Sequence, residues 1–239
     1  MLKKVFYFCA VSFTLSSYAH GFFQSKATYV LTIHNGGEMP FSPVLVYASS
    51  QERANVKVGD TTTEGFVKLC QTGDNSLRET ELQQDSQILA ISKGDNLILP
   101  GETKSIEITA PKKHLRSINI ETMYGNTKDT CAVVNIDRFE LHKLKHHRVY
   151  EVVGHDRVLS TGAFSDPTLE DADNKCNSAP NAVTCLRNLS EAGDNIVRFF
   201  PDYLPSVLNF LEENFGVDQT LSLLVPTSGA LRYSLKLKH

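Results

Sequence analysis

The chain has no tryptophan and only three methionines in 239 residues. It also lacks a basic excess: 24 lysines and arginines face 27 aspartates and glutamates, for a net charge of −3. Nucleic-acid binding needs a positive surface to displace counterions, so the charge balance argues against that partner class and none is expected. Catalytic signatures are missing too. There is no Gly-x-Ser-x-Gly elbow, no phosphate loop, no dinucleotide fingerprint and no His-Glu-x-x-His. A glycosidase would need a specific pair of carboxylates. None stands out, and no indole is present to stack on a sugar. The expectation is a protein that is not an enzyme, with no catalytic residues.

Long apolar runs are absent as well, with one exception at the start. Met1-Leu2-Lys3-Lys4 is a basic opening, residues 5–15 are almost wholly apolar, and Ser17 and Ala19 are small residues two positions apart. This layout predicts a secretory signal peptide over residues 1–19, cleaved after Ala19. The run is too short to span a bilayer, so no transmembrane segment is expected in the mature chain. The expected location is secreted or periplasmic.

Cysteine is scarce, with five in all. Cys9 lies in the leader, which leaves Cys70, Cys131, Cys176 and Cys185. An even number in an oxidising compartment predicts two disulfides. Three pairings are open, and Cys176–Cys185, closing a short loop, is favoured together with Cys70–Cys131. A cysteine metal site is disfavoured because no Cys-x-x-Cys pair occurs.

What is abundant is alternation. Tyr29, Leu31 and Ile33 alternate with Thr28, Val30, Thr32 and His34. Ile106 and Ile108 alternate with Ser105, Glu107 and Thr109. Ile118 and Ile120 alternate with Ser117, Asn119 and Glu121. Leu231, Tyr233, Leu235 and Leu237 alternate with Arg232, Ser234, Lys236 and Lys238. Period two sends one set to a core and the other to water. Further strands are expected at 44–48, 87–91, 133–141 and 148–153. Turn signals at Asn35-Gly36-Gly37, Gly94-Asp95-Asn96, Pro100-Gly101 and Gly125-Asn126 separate them. Many short strands so spaced predict an all-β, antiparallel β-sandwich in one domain.

Helical spacing is rare. Leu204, Val207, Leu208 and Leu211 predict one helix, capped by Asp202 and ended by Gly216. A shorter one is expected near 64–70, with Gly73-Asp74-Asn75-Ser76 as a helix stop followed by an Asx turn. Residues 160–200 are expected to form a long loop excursion pinned by Cys176–Cys185. His142 and His146 are four apart, a spacing that binds zinc on a helix. The neighbouring alternation instead predicts a strand, on which they would lie ~13 Å apart. With His147, Lys143, Lys145 and Arg148 they read as a basic strand edge that discourages edge pairing.

Residues 164–174 hold Asp166, Glu170, Asp171 and Asp173 with no lysine or arginine. Calcium takes six to eight oxygens, several of them loop carboxylates. The spacing is not that of an EF-hand. Charge pattern alone favours a solvated acidic loop.

Five segments in order resemble the spondin domain family, in particular its bacterial exported members. They are Phe41-Ser42-Pro43-Val44-Leu45-Val46; Gly73-Asp74-Asn75-Ser76; Leu99-Pro100-Gly101-Glu102 followed by Ile106-Glu107-Ile108; the stretch from Ser117 to Leu141; and Asp166-Pro167-Thr168-Leu169-Glu170. The resemblance covers residues 27–239. It implies a sandwich of the calcium- and lipid-binding type, with one or two short helices. It implies a calcium ion held by Asp129, Asp166 and Glu170. It also implies a role in binding or adhesion to a surface or matrix ligand. Thr168 stands where the family has glycine, Lys128 stands beside Asp129, and Asp156 is a competing ligand position. A metal-free structural envelope protein and a carboxylate-dependent hydrolase are the alternative readings.

Overall fold

The computed structural model describes residues 25–52, 56–125, 129–146, 149–161, 194–202, 205, 209, 213 and 228–238. The leader expected over 1–19 lies outside them. So do Asp166, Glu170, Cys176 and Cys185.

In chain order the elements are β1 (Lys26–Asn35), β2 (Leu45–Ser49), α1 (Glu64–Thr72), α2 (Ser76–Gln84), β3 (Ile88–Lys93), β4 (Thr103–Pro111) and β5 (Ser117–Met123). They continue with β6 (Thr130–Ile136), α3 (Arg138–Lys145), β7 (Glu151–His155), β8 (Arg157–Ser160), β9 (Arg198–Phe199) and β10 (Leu231–Leu237). They form a sandwich of two antiparallel sheets, ordered β4-β1-β10-β7 and β3-β2-β5-β6-β8-β9. The all-β sandwich expected from alternation is the fold observed.

The core lies between the sheets. Tyr29, Leu31 and Ile33 of β1, Ile106 and Ile108 of β4 and Leu231 and Leu235 of β10 face Val46, Ile118, Ile120, Val134 and Val158. Each such side chain, once fully buried, contributes about 1.5–3 kcal/mol. Phe41, expected to be buried, is fully so. It bridges to Ile98 and Tyr124, and its ring meets Tyr124 edge-on at 4.9 Å.

The four-stranded sheet obeys period two as anticipated. Its outer face carries rungs of hydroxyls and imidazole: Thr28 to Thr109 at 2.8 Å, Thr32 to Ser105 at 3.1 Å and His34 to Thr103 at 3.1 Å. The six-stranded sheet does not obey it. Ser117, Asn119 and Glu121 were expected in water, yet all seven residues of β5 are buried. The reason is a third layer: α1 and α2 lie on that sheet's outer face, with Phe66, Leu69 and Cys70 packed on Cys131, Val133 and Leu159, and Leu82 on Leu45 and Tyr47. The expected Cys70–Cys131 disulfide ties α1 to β6 inside this layer, with Cα atoms 5.1 Å apart.

Local signals explain the helices. Thr63 caps α1 by accepting from the Phe66 N–H, and Gly73 ends it at φ 74°. A Cβ on Gly73 would also come within 2.8 Å of the Ser42 Cβ, so both conformation and space call for glycine. The expected Asx turn follows, with Ser76 N donating to Asp74 Oδ1 at 2.9 Å. It leads directly into α2, a helix the hydrophobic spacing does not announce.

The strand expected over 133–141 is corrected. β6 stops at Ile136, and Asp137 caps a helix by accepting from the Glu140 N–H at 3.0 Å. His142 therefore lies on α3 and His146 at its C-cap, with ring centroids 4.0 Å apart rather than spread along a strand edge. The strand expected at 148–153 begins at Glu151. Residues 200–202 are already helical, which places Asp202 inside the first turn rather than at the cap. The 160–200 excursion ends earlier than expected on its C-terminal side, while its start agrees with the end of β8. β8 runs to Ser160, and β9 pairs with it through Leu159 to Phe199 and Ser160 to Arg198.

Candidate functional site

Of the three residues that the resemblance assigns to calcium, Asp129 is described. It precedes the first residue of β6, and the register that pairs Thr130 with Ser160 sets it across from Thr161 at the end of β8. The Ser160 hydroxyl donates to Asp129 Oδ2 at 2.9 Å. Asp129, Thr130, Ser160 and Thr161 are at most 1 % exposed. Among the described residues, the hydroxyls of Thr130 and Thr161 have no hydrogen-bond partner. Leaving such a group buried and unsatisfied costs about 1–3 kcal/mol.

This end of the sheet thus holds one buried carboxylate, met by the Ser160 hydroxyl, and buried hydroxyls on the adjoining residues Thr130 and Thr161, with no nitrogen or sulfur ligand among these four side chains. An oxygen-only set suits a hard cation. Among the described residues no three of His, Cys, Asp and Glu cluster to hold a metal. A complete calcium site here therefore depends on acids from elsewhere, and the expected ones, Asp166 and Glu170, lie outside the described residues. The donor chemistry fits calcium on the half that is described. Alternation alone could not single out Thr130, Ser160 and Thr161, because the β6–β8 pairing joins segments 30 residues apart.

Asp156, the competing ligand position, is otherwise engaged. It sits at the crossing from β7 in one sheet to β8 in the other, fully buried. The Tyr124 hydroxyl donates to Oδ2 at 2.6 Å, and the N–H groups of Gly229 and Leu231 donate to Oδ1 at 2.8 and 3.2 Å. Burial pushes its pKa up, against the opposing pull of these hydrogen bonds. Burial, then the neighbouring carboxylate, pushes the Tyr124 hydroxyl up as well. Asp156 is a structural clasp between the sheets.

A second buried carboxylate, Glu121, is equally committed. Arg78 of α2 grips it with two N–H groups, both at 2.9 Å, and the Tyr47 hydroxyl donates to it at 2.7 Å. Burial alone would lower the Arg78 pKa, but Glu121 holds it above its ordinary value. Burial first, and Glu121 second, raise the Tyr47 hydroxyl. The group fastens the helical layer to the sheet.

Compared with known proteins, the chain matches no family model and no curated protein. The likeness to spondin domains therefore rests on the five ordered segments.

Proposed function

We propose that this chain is an exported, non-enzymatic binding module of the spondin type, with a calcium ion held by Asp129 together with Asp166 and Glu170. The observation that carries the reading is the buried Asp129 carboxylate, held by Ser160, at a strand end where the adjoining Thr130 and Thr161 hydroxyls are buried without a partner among the described residues. A calcium ion supplies the charge such oxygens are arranged to meet, and its neutralising effect would link the end of β8 to the acidic run. Export is supported by the disulfide built into the helix–sheet layer, a bond that persists in oxidising compartments. A non-catalytic role is supported by the commitments of Glu121 and Asp156, whose oxygens are held by structural partners rather than poised at a cleft. No helix among the described residues is long and apolar enough to cross a membrane.

Calcium titration followed by melting temperature tests this. Ligand that binds only the folded state adds about 2.7 kcal/mol at one hundred times its Kd. For a chain of this size that is a rise of roughly 5–10 °C. The rise is expected in the wild type and lost in Asp129→Asn and Asp166→Ala. Equal melting of all three in calcium and in chelator would favour the metal-free structural reading.

A further inference from the structure

The outer face of the four-stranded sheet holds a second feature. β1, β10 and β7 are adjacent, and their registers set His34 opposite Arg232 and Arg232 opposite His155. Three basic side chains, two histidines flanking an arginine, therefore form one rung across three strands on one face, with cross-strand Cβ atoms ~5 Å apart. The next rung on that face is Thr32, Ser234 and Val153. A cavity of about 760 Å³ opens over both rungs, and its lining contains no carboxylate. That volume falls in the range of small-molecule sites.

The charges around it are unequal. Further along β10, Lys236 meets Glu151 at 3.0 Å and Lys238 meets Glu107 at 2.6 Å. Arg232, among the described residues, meets no carboxylate and is exposed at the cavity. A guanidinium left open presents several donors suited to an oxyanion. The remaining groups suit hydroxyls. His155 Nδ1 lies 2.9 Å from the Asp156 carbonyl oxygen, which can only accept, so Nδ1 carries the proton and Nε2 is left as the acceptor of the neutral ring. Thr32 and Ser234 add hydroxyls.

We propose that this cavity binds an acidic sugar, its oxyanion on Arg232 and its hydroxyls on His155, Thr32 and Ser234. Recognition is through charge and hydroxyls, and needs no stacking indole. The inference rests on the binding-module reading and names the ligand class for it.

Calorimetric titration of the full exported chain with glucose 6-phosphate, glucuronate, glucose and inorganic phosphate tests it, at constant ionic strength. At least one of the two acidic sugars is expected to bind saturably, ten-fold or more tighter than glucose and inorganic phosphate. Arg232→Ala is expected to weaken that binding at least ten-fold and Arg232→Lys to restore part of it, with melting temperatures unchanged because Arg232 is exposed. Inorganic phosphate binding as tightly as the sugars would overturn the sugar assignment. Absence of saturable binding, or binding undiminished in Arg232→Ala, would overturn the site. The calcium response is a separate readout. A calcium shift without sugar binding sinks this inference and leaves the binding module; sugar binding without a calcium shift does the reverse for the metal seat.

Discussion

Asp156 and Arg78 show how much two polar side chains can decide. Asp156→Ala would leave the Tyr124 hydroxyl and the N–H groups of Gly229 and Leu231 without their acceptor. At about 1–3 kcal/mol for each buried orphan, a loss of roughly 3–5 kcal/mol is expected in urea unfolding. Asp156→Asn keeps an acceptor for the two N–H groups and should cost far less. The pair also predicts a pH effect. The carboxyl's folded pKa is raised above 3.8, so between that value and its folded one the native state holds more protons than the unfolded chain. Stability then falls as pH rises through that window. In Asp156→Asn the fall attributable to this group should vanish, and the curve of stability against pH above about 4 should be flatter than in the wild type. Arg78→Met strands Glu121 as a buried charge, an expected loss of about 3–5 kcal/mol. Adding Glu121→Gln should recover part of it, and a double-mutant cycle reads the coupling.

Among the elements, the helical layer is what turns a two-sheet pattern into a three-layer protein. It rests on three attachments: the apolar contacts of Phe66, Leu69 and Leu82, the Arg78–Glu121 pair and the Cys70–Cys131 disulfide. The disulfide joins residues separated by 61 positions. Loop-closure entropy for such a span corresponds to about 4 kcal/mol. Replacing both cysteines by alanine should lower stability by up to that amount, measured by denaturant unfolding under oxidising conditions. Reductant should then have no further effect on that bond's contribution. Unchanged stability on replacement would mean that packing and the Arg78–Glu121 pair hold the layer without the disulfide. The short α3 teaches a different lesson. Its cap, Asp137 three positions before Glu140, is a local start signal. It outweighs the alternating pattern of Val133 to Leu141, which continues by chance past the true strand end.

Over the whole molecule, the two candidate sites lie on different sheets and draw on different chemistry. One is a buried oxygen cluster at the end of β6 and β8; the other is an open basic rung on β1, β10 and β7. What the sequence by itself determined is the main run of strands, β1, β4, β5 and β10 above all, because period-two alternation is a local consequence of burying one face. It likewise determined the α1 helix stop at Gly73 and the Cys70–Cys131 pairing as one of three choices. Asp129 was legible only through resemblance. Tertiary structure alone decided that Glu121 meets the helical layer instead of water and that Ser117 and Asn119 are buried along the same strand. It also decided that Asp156 is a clasp and that His34, Arg232 and His155 share a rung. The physical reason is sequence distance. β1 and β10 pair across almost the entire chain, and hydrogen bonding between strands is indifferent to how far apart they lie in sequence. Alternation assigns a side chain to a face; only the pairing of distant strands assigns it its neighbours.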